Sequence, residues 1–571
     1  MLAAALEFNE TNDGRTGPAH WERLVSNARA QGANALVFPA FTGCLSKDTE
    51  EYLEQMRRLS DVYGMILCPG SFYERSNGET FHSSVVFSSG ELLLKQRQIY
   101  LSGREREEGF QRGTTVGTVD VGGFRLGLLL PSDVYHPQVS RELALLGVDV
   151  VFIPGGYARE RSCTSAIRGV WSQVQQNLFF AVESGFNGMM GNTLYAAESM
   201  IHAPLLMTGG DDGILARSGG EKEMVLARLD KEKRKDAVDR FNVIGRLNPR
   251  FYLAEGLFRG TGGTRASGHL RISMVQRSIR PVRSIRGYRR MAEAFVAQAS
   301  GEGSKLVAFP EYNFLDLYGL LPGFRILEKH LGAGKGGSGA GEGFPGAVFR
   351  LPANLFRRIM DRTFSRLAKK YGMYVYAGTH VLLERKKMFN AGSLYDPGGK
   401  CIGTQKKLHL TDFEAGCGFF EGDRLEVYQI EGIKLAIPIC MDATYFETFS
   451  VAVKKGCTLV VVPIANNEEY SVTRSCRGVY TRTGETMVYG AKSALTGTIA
   501  GMRFTGKAGV FSPFVHDSGV LALAGEHEGD ELVTADLDME LLLKEEKAVE
   551  YGMDKNASYE AGYEQRVYGG R

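Results

Sequence analysis

The stretch KLHLTDFEAGCGFFEGDRLEVYQIEGIKLAIPICMDATYFE (407–447) has a diverged copy earlier in the same chain. The copy is QIYLSGREREEGFQRGTTVGTVDVGGFRLGLLLPSDVYHPQ (98–138), and one shift of 309 positions superposes the two. The same shift carries RGV at 168–170 onto RGV at 477–479. A register that continues over more than seventy residues is hard to obtain by accident, so the chain contains an internal repeat.

The repeat extends towards both ends of each half. NALVFPAFTG (34–43) matches SKLVAFPEYN (304–313) with a different shift, so the second half carries additional residues in between. The Gly-rich run LGAGKGGSGAGEGFPG (331–346) is the expected insertion. It lacks the GK[ST] spacing of a phosphate-binding loop, and it is typical of a surface loop or, failing that, a lid over a substrate entrance. The repeat ends near EMVLARLD (223–230) and ELVTADLD (531–538).

Each half alternates apolar strands with amphipathic helices in the same order. Strand, helix, strand, helix and strand are followed by two further β-rich runs, which predicts an α/β layered domain. The matching segments, first half then second, are LAAALEF and LRISMVQ, WERLVSNARAQG and YRRMAEAFVAQA, NALVFP and KLVAFP, EYLEQMRRLSDVYG and LFRRIMDRTFSRLAKKYG, MILCPGSF and MYVYAGTHVL, FRLGLLL and IKLAIPI, and VDVVFIP and TLVVVPI.

The boundaries follow from where the two patterns stop. We predict one domain over 1–246 and a second over 269–571, the second carrying the 331–346 insertion. The segment between them, 247–268, is rich in Gly and Arg with little periodicity, which predicts a linker. The predicted fold class is therefore α/β, in two similar tandem domains.

Composition limits the partners that this chain can have. Of its 571 residues 43% are hydrophobic, and 68 basic residues against 65 acidic ones leave almost no net field to attract nucleic acid or an anionic membrane. No apolar run reaches the roughly 20 residues needed to span a bilayer, and the first residues lack the basic region of a signal peptide. Eight cysteines without CxxC or Cys/His spacing predict neither a disulfide framework nor a metal site. We expect a cytoplasmic protein without a cofactor.

Three polar residues of the second half follow apolar strands. Glu311 comes after LVAFP, Lys407 opens KLHL, and Cys440 ends LAIPI. The carboxyl ends of strands are where α/β sheets usually place their chemistry. Each residue alone has an ordinary explanation: a capping carboxylate, a solvated lysine, a small buried thiol. Together they supply the base, cation and thiol that acyl transfer through a thioester needs.

These motifs resemble the nitrilase, or carbon–nitrogen hydrolase, superfamily. FPE with Glu311, KLHL with Lys407 and ICMDATYFE with Cys440 occur in the family's order, and GCTLVVVP follows the cysteine as expected. The resemblance implies an αββα sandwich that pairs with a second copy as an αββα–αββα dimer. Here the two halves are expected to form that pair within one chain, with further homo-oligomerisation left open.

The resemblance also implies a role for each residue of the second half. Cys440 would attack the carbonyl or nitrile carbon, and Glu311 would act as general base and then general acid. Lys407 would hold the thiolate and, with the backbone N–H of Met441, stabilise the oxyanion. Glu414 matches an additional glutamate of the family and would orient Lys407 or water, although a surface salt bridge is the alternative.

The first half lacks all three chemical groups. The repeat register places Glu311 on Ala40, Lys407 on Gln98 and Cys440 on Pro131, whereas the scaffold around them persists. Ser132 follows Pro131, but neither a matched base nor a matched cation remains beside it. We therefore expect a non-catalytic domain that supports the catalytic one.

The expected reaction is hydrolysis of a small amide with release of ammonia. Many family amidases have Asp two positions after the cysteine, as with Asp442, and this favours an amide over a nitrile. An N-carbamoyl hydrolase, a nitrilase and an amide-forming acyltransferase remain alternatives within the family. The alternative from another class is a binding or scaffold protein, which the complete set of catalytic groups disfavours.

Overall fold

Two compact units make up the chain. The computed structural model describes the chain except residues 10–16, 47, 159–166, 209–211, 220–221, 259–267, 325–327, 329–345, 515–517, 549–553 and 571. Unit 1 comprises Met1–Gly245 and Val549–Gly570, and unit 2 comprises Arg246–Ala548 with Arg571. The predicted Gly-rich insertion at 331–346 lies outside the described residues, except for Gly346.

Unit 1 contains two β-sheets. The first has the order Met224–Arg228, Leu2–Leu6, Ala35–Val37, Ile66–Cys68, Glu79–Ser88 and Ser71–Ser76, with Glu91–Arg97 also paired to Glu79–Ser88. The second has the order Ile214–Arg217, Met200–His202, Phe180–Met190, Val150–Gly155, Phe124–Leu128 and Thr118–Val121, with Phe8–Asn9 and Thr193–Tyr195 paired to Phe180–Met190. Their inner faces share one apolar core, so the sheets form a sandwich.

Helices cover the outer faces of this sandwich. Pro18–Ala30 and Thr49–Val62 pack on the first sheet, and Asp48 caps the second of these helices by accepting from the backbone N–H groups of its first turn. Pro137–Leu145 packs on the second sheet, where Leu143 lies over Gly127. The remaining described helices of unit 1 are Gly103–Glu107, Ser172–Asn177, Lys231–Phe241, Ala557–Glu560 and Tyr563–Tyr568.

Unit 2 repeats the arrangement, but its two sheets are joined where strand His269–Ser278 pairs with strand Tyr489–Ile499. The strand order is Cys401–Lys406, Lys387–Tyr395, Tyr374–Glu384, Leu306–Ala308, His269–Ser278, Tyr489–Ile499, Leu459–Ile464, Ile433–Ala436 and Val427–Ile430. Met502–Phe504 and Gly509–Phe511 pair with Tyr489–Ile499, Val520–Leu523 pairs with Gly509–Phe511, and Glu531–Asp538 pairs with His269–Ser278.

Side chains of unit 2 alternate between two cores. Leu306 and Ala308 face the core between the two sheets, whereas Val307 faces helices Ile285–Gly301 and Ala353–Tyr371. The other described helices of unit 2 are Pro249–Glu255, Ala347–Arg350, Asp412–Gly416, Phe446–Lys454, Val472–Cys476, Val479–Thr486 and Met539–Ala548. The predicted αββα layering is confirmed in each unit.

The expected linker differs from what the structure contains. Within 247–268 the residues Pro249–Glu255 form a helix that belongs to unit 2, with Pro at its first position and Asn248 as its N-cap. The Asn248 Nδ2 also donates to the carbonyl oxygens of Leu408, at 2.7 Å, and Gly422, at 3.0 Å. A seven-residue helix is too short to show a clear period in the sequence, so the Gly and Arg content dominated the prediction.

The end of the chain has the reciprocal arrangement in unit 1. The sequence pattern predicts a second domain over 269–571, but within its last part the described residues Asp554–Gly570 pack with the first unit. Asn556 caps a short helix, and its Nδ2 donates to the carbonyl oxygens of Ile99, at 2.8 Å, and Gly113, at 2.7 Å. These two carbonyls are the repeat equivalents of the ones that Asn248 holds in unit 2. Each unit is thus completed by the segment that follows the other in sequence.

No helix in the described part of the chain combines the length and the apolar character needed to cross a membrane.

We predict that Asn556→Ala destabilises unit 1. The change leaves two buried carbonyls without a donor and removes a helix cap, which together cost about 2–4 kcal/mol. Both tryptophans of the chain, Trp21 and Trp171, lie in unit 1, so urea unfolding followed by tryptophan fluorescence reports this unit. Asn248→Ala is the matched control, and it should shift the fluorescence midpoint much less. Equal shifts for both variants would contradict the assignment of Asn556 to unit 1.

Candidate active site

The three predicted residues of unit 2 meet at the carboxyl ends of its strands. Glu311 follows strand Leu306–Ala308, and Lys407 follows strand Cys401–Lys406. Cys440 begins a 3-10 turn, Cys440–Thr444, shortly after strand Ile433–Ala436. Residues separated by up to 129 positions of sequence (Glu311 to Cys440) are therefore brought to one edge of the sandwich.

A buried ammonium lies between two buried carboxylates. Lys407 Nζ is 2.9 Å from Glu311 Oε1 and 2.8 Å from Glu414 Oε2. All three side chains are at most 1% exposed. Glu414 thus contacts Lys407 directly, and the surface salt bridge considered for it does not describe this burial.

Glu414 is fixed by its own helix end and by two neighbours. Thr411 and Glu414 form a capping box at helix Asp412–Gly416, in which the Glu414 carboxylate accepts from the backbone N–H and hydroxyl of Thr411 at 3.0 Å. Tyr312 Oη donates to Glu414 Oε1 at 2.7 Å. Asn390 Nδ2 donates to both Glu414 Oε1 and Glu311 Oε1, each at 2.8 Å. The two carboxylates are therefore held in a single network.

Cys440 faces this network from a strained turn. Its φ of 45° lies in the left-handed region, which a residue other than glycine adopts only where the surrounding structure holds it. The thiol donates to Asn466 Oδ1 at 3.6 Å, and it lies close enough to the Glu311 carboxyl for that group to raise the pKa of the thiol. The residue as a whole is partly exposed, so the carboxylate, the ammonium and a reachable thiol converge.

Burial and charge move the pKa values of the two carboxyl groups in opposite directions. Burial raises the pKa of Glu311, and the Glu414 charge adds to this against the effect of Lys407. Burial acts in the same sense on Glu414, but Lys407 and the hydrogen bonds from Thr411 and Asn390 outweigh it and lower its pKa. Glu414 is therefore the permanent anionic partner of Lys407, whereas Glu311 is the carboxyl suited to taking up and returning a proton.

The pKa values of the ammonium and the thiol are both raised. Although burial acts downward on Lys407, Glu311 and Glu414 hold its pKa well above the ordinary value. Burial and the neighbouring Glu311 raise the pKa of Cys440 well above that of a free thiol, against the effect of Lys407. The resting thiol is therefore protonated, and it needs a base at the moment when it reacts.

Asp442 joins the cysteine turn to the lysine segment. It is fully buried, and its carboxylate accepts from the backbone N–H groups of Leu408, His409 and Ile439 and from His409 Nδ1 at 2.9 Å. His409 in turn stacks on Tyr445 and bonds to Tyr252. Asp442 therefore positions Lys407 and Cys440 relative to each other, because it binds the backbone next to each of them.

Unit 1 has the same buried aspartate, although it lacks the lysine and the cysteine that this aspartate positions in unit 2. Asp133, the counterpart of Asp442, accepts from the backbone N–H groups of Ile99 and Tyr100. Tyr100 stacks on His136, so the ring pair of unit 2 recurs with tyrosine and histidine exchanged. Since Asp occurs in both units, it reflects the scaffold, and it no longer argues for an amide over a nitrile.

Other side chains occupy the equivalent space in unit 1. Gln98 donates to Glu105 Oε2 at 2.6 Å, and His82 Nδ1 lies 2.6 Å from Glu105 Oε1. Equivalent backbone bonds (Gln98 N to His82 O, Lys407 N to Asn390 O) show that His82 takes the place of Asn390. An amide and an imidazole thus contact the buried Glu105 where the lysine is missing. Ala40 and Pro131 are buried and offer neither carboxylate nor thiol.

Sequence analysis missed Asn390, Tyr312 and His82. Asn390 had one available signal, because it is a polar residue within the apolar strand Lys387–Tyr395, on a buried stretch. Tyr312 directly follows Glu311 and has a left-handed φ of 53°. No sequence motif predicts this backbone conformation, so the sequence does not indicate the contact of Tyr312 with Glu414. Within the described residues, no cluster of three or more His, Cys, Asp or Glu side chains is arranged to hold a metal ion.

The geometry defines a class of protein in which a buried glutamate and lysine meet a partly exposed cysteine on a duplicated αββα sandwich. A profile of the family described as carbon-nitrogen hydrolase matches residues 2–232 and 271–542. The chain belongs to this family, and the two matched segments confirm the predicted tandem duplication.

Several known proteins are similar to parts of the chain. A probable hydrolase of Bacillus subtilis is 24% identical over 292 residues, which covers 48% of this chain and 51% of that protein. An omega-amidase of Xenopus tropicalis is 25% identical over 285 residues, covering 48% of this chain and 90% of its own length. A crystal structure of a Nesterenkonia amidase from the nitrilase superfamily matches 48% of this chain and 95% of its own, with 20% identity and a TM-score of 0.36. The chain thus spans about half the length of the Bacillus relative.

We predict that Glu311→Gln makes the Cys440 thiol easier to ionise. Glu311 raises the thiol pKa, so removing its charge lowers that pKa and shifts alkylation of Cys440 by iodoacetamide to lower pH. Peptide mass spectrometry after timed alkylation at several pH values measures the profile. The exposed Cys401 is the internal control, and its profile should not change. An alkylation profile of Cys440 that moves to higher pH would contradict the proposed contact.

Proposed function

We propose that unit 2 is a cysteine-dependent amidase that hydrolyses a small amide and releases ammonia. The observation that carries the proposal is the convergence of Glu311, Lys407 and Cys440, in which one carboxyl forms an ion pair with the ammonium and raises the pKa of the thiol beside it. The omega-amidase relatives support an amide as the substrate, and family membership supports hydrolysis of a carbon–nitrogen bond.

The first step forms a tetrahedral intermediate, from which the thioester forms when the C–N bond breaks. Glu311 takes the thiol proton as Cys440 Sγ attacks the amide carbon, and the carbonyl oxygen becomes an oxyanion. Lys407, kept protonated by its two carboxylates, faces the negative charge as it develops. Met441 is the second residue of the turn Cys440–Thr444, where a backbone N–H lacks an intrahelical acceptor, and it donates to the same oxyanion.

The second step returns the free enzyme. Glu311 gives its proton to the leaving nitrogen, the C–N bond breaks, and ammonia departs from the acyl-enzyme. Glu311 then takes a proton from a water molecule that attacks the thioester, and the C–S bond breaks to release the carboxylic acid. The proton returns to the Cys440 sulfur, so one water is consumed for each ammonia released.

Unit 1 takes no part in this chemistry under the proposal. Its Gln98 cannot carry the charge of Lys407, and Pro131 has no nucleophilic atom. The carboxylate that remains, Glu105, is buried and engaged by His82 and Gln98. Helix Pro249–Glu255 follows unit 1 in the chain but belongs to unit 2.

Cys440→Ala should abolish ammonia release, and Glu311→Gln should lower it by about 10²- to 10⁴-fold because general base catalysis is lost. Ammonia release is measured across simple amides, ureido acids and nitriles, and mass spectrometry of the acyl adduct identifies the nucleophile. Ser132→Ala, in the equivalent turn of unit 1, is the matched control and should retain full activity. Residual ammonia release by Cys440→Ala, or its loss in Ser132→Ala, would refute the assignment.

The pH profile follows from the raised pKa of Glu311. The base must be unprotonated, so kcat/KM falls as pH drops through that pKa, and the acid limb lies above the range of an ordinary glutamate. Because the pKa of Lys407 is raised, loss of its proton produces no limb near neutral pH. An acid limb at or below the ordinary range would contradict the role given to Glu311.

We predict that Asn248→Ala lowers kcat by about 10- to 100-fold, because it releases the carbonyl of Leu408 beside Lys407 and lets the ammonium move. Asn556→Ala removes the equivalent bonds in unit 1 and is the matched control, with near-normal kcat at a temperature where both variants are folded. A kcat that falls equally in the two variants would indicate general destabilisation in place of positioning.

A further inference from the structure

Unit 1 contains a pocket where unit 2 has its catalytic groups. Pro131 and Glu105, the counterparts of Cys440 and Glu414, lie in its wall, and its volume is about 240 Å³. Larger side chains in this space would stabilise a domain that serves only as support, because protein interiors are close-packed. The copy without catalytic groups has nevertheless kept the space open, which makes the pocket a candidate binding site.

Three positions that are apolar in unit 2 carry polar side chains in unit 1. Equivalent helix caps and equivalent strand pairs fix the matches between the units. The replacements are Arg104 for Phe413, Tyr73 for Val381 and Tyr195 for Phe504. All three polar side chains line the pocket. Unit 1 has therefore lost the catalytic groups of this space, but it has an arginine and two phenols on the wall.

Arg104 is a fixed cation of the pocket wall. Its Nε donates to Glu108 Oε1 at 2.7 Å, and its Nη1 donates to the carbonyl oxygen of Met190 at 2.6 Å. In the described part of the chain no acceptor is bonded to its Nη2. The side chain is 22% exposed, so a ligand can reach it. Arg104 can thus offer a charged donor without first changing its position.

Two hydroxyl groups lie in the same wall. Tyr73 and Ser132 both line the pocket, and neither hydroxyl is hydrogen-bonded to another of the described residues. Burial raises the pKa of Tyr73, whereas Arg104 acts on it in the opposite direction, which places the phenol near the guanidinium. The two groups can therefore donate to one ligand.

The acidic group of the wall is already engaged. Glu105 accepts from the backbone N–H and hydroxyl of Ser102 and from Gln98. The Gln98 Oε1 in turn accepts from the backbone N–H of Ser132 at 3.3 Å. That N–H is the counterpart of the one proposed to bind the oxyanion in unit 2, so the place of an oxyanion is taken. The groups left for a ligand are donors that support binding without turnover.

Aromatic rings form much of the remaining wall. The Phe41 ring lies edge-to-face with Tyr195, at a centroid distance of 4.9 Å, and with Tyr73, at 6.3 Å. Phe41 also stacks on His82 at 5.3 Å. Rings in this arrangement offer faces and edges against which a flat apolar group packs well.

We propose that this pocket of unit 1 binds a small organic carboxylate with a flat apolar body. The carboxylate accepts from Arg104 Nη2 and from the Tyr73 hydroxyl, and the body lies against the rings of Phe41 and Tyr195. The negative charge of Glu105 disfavours the reverse orientation, in which two carboxylates would meet. The inference goes beyond the proposed function, because it makes the unit without a nucleophile a binding domain whatever reaction unit 2 catalyses.

Benzoate and benzyl alcohol test the pocket, because they share a ring and differ in charge. Titration calorimetry with the full-length protein should show benzoate binding at least about 10-fold more tightly than benzyl alcohol. Arg104→Met should remove this difference, and Tyr73→Phe should weaken benzoate binding by about 2- to 10-fold. Arg125→Met is the matched control, since Arg125 also pairs with a carboxylate in unit 1 but lies outside the pocket wall, and it should bind benzoate as the wild type does.

Glu108→Gln distinguishes a binding role of Arg104 from a structural one. Glu108 competes with the ligand for the guanidinium, so its neutralisation should tighten benzoate binding by about 2- to 5-fold. Loss of an ion pair that only stabilised the fold would not increase affinity. Wild-type protein that binds the two probes alike, or an Arg104→Met variant that binds benzoate as tightly as the wild type, would overturn the proposal. Inorganic phosphate bound more tightly than benzoate would overturn the ligand class.

Discussion

The buried ammonium of Lys407 between two carboxylates is the interaction on which the rest of unit 2 depends. Removing one partner from such a buried set costs about 3–5 kcal/mol, because an uncompensated charge remains in the interior. Burial raises the pKa of Glu311, whereas Lys407 and the hydrogen bonds from Thr411 and Asn390 outweigh burial at Glu414 and lower its pKa. The proposed chemistry uses this difference in pKa, because the general base has to take up a proton whereas the partner of Lys407 has to stay ionised.

Duplication shows which parts of this arrangement belong to the scaffold and which to the chemistry. Both units keep the buried aspartate that ties the cysteine turn to the lysine segment, together with a stacked tyrosine–histidine pair. Only unit 2 has the ammonium, the second carboxylate and the thiol. In unit 1, His82 faces Glu105 where the lysine has been lost, so the buried carboxylate does not remain without a partner.

The two units also depend on each other through chain connectivity. Asn248 and Asn556 make the same pair of bonds to equivalent carbonyls, yet each lies in the segment that follows the opposite domain. In unit 2 the held carbonyl belongs to Leu408, next to Lys407. Positioning of the cation therefore uses a residue that follows the first repeat in the chain, and a fragment starting at residue 269 lacks it.

The sequence by itself determined the α/β class, the repeat, and the order of Glu311, Lys407 and Cys440, because strand and helix periods and a fixed register are properties of consecutive residues. The segment exchange, the burial of Glu414 and the place of His82 were decided only by tertiary structure. Charge pairing in an interior depends on residues far apart in the chain, and no local pattern records it.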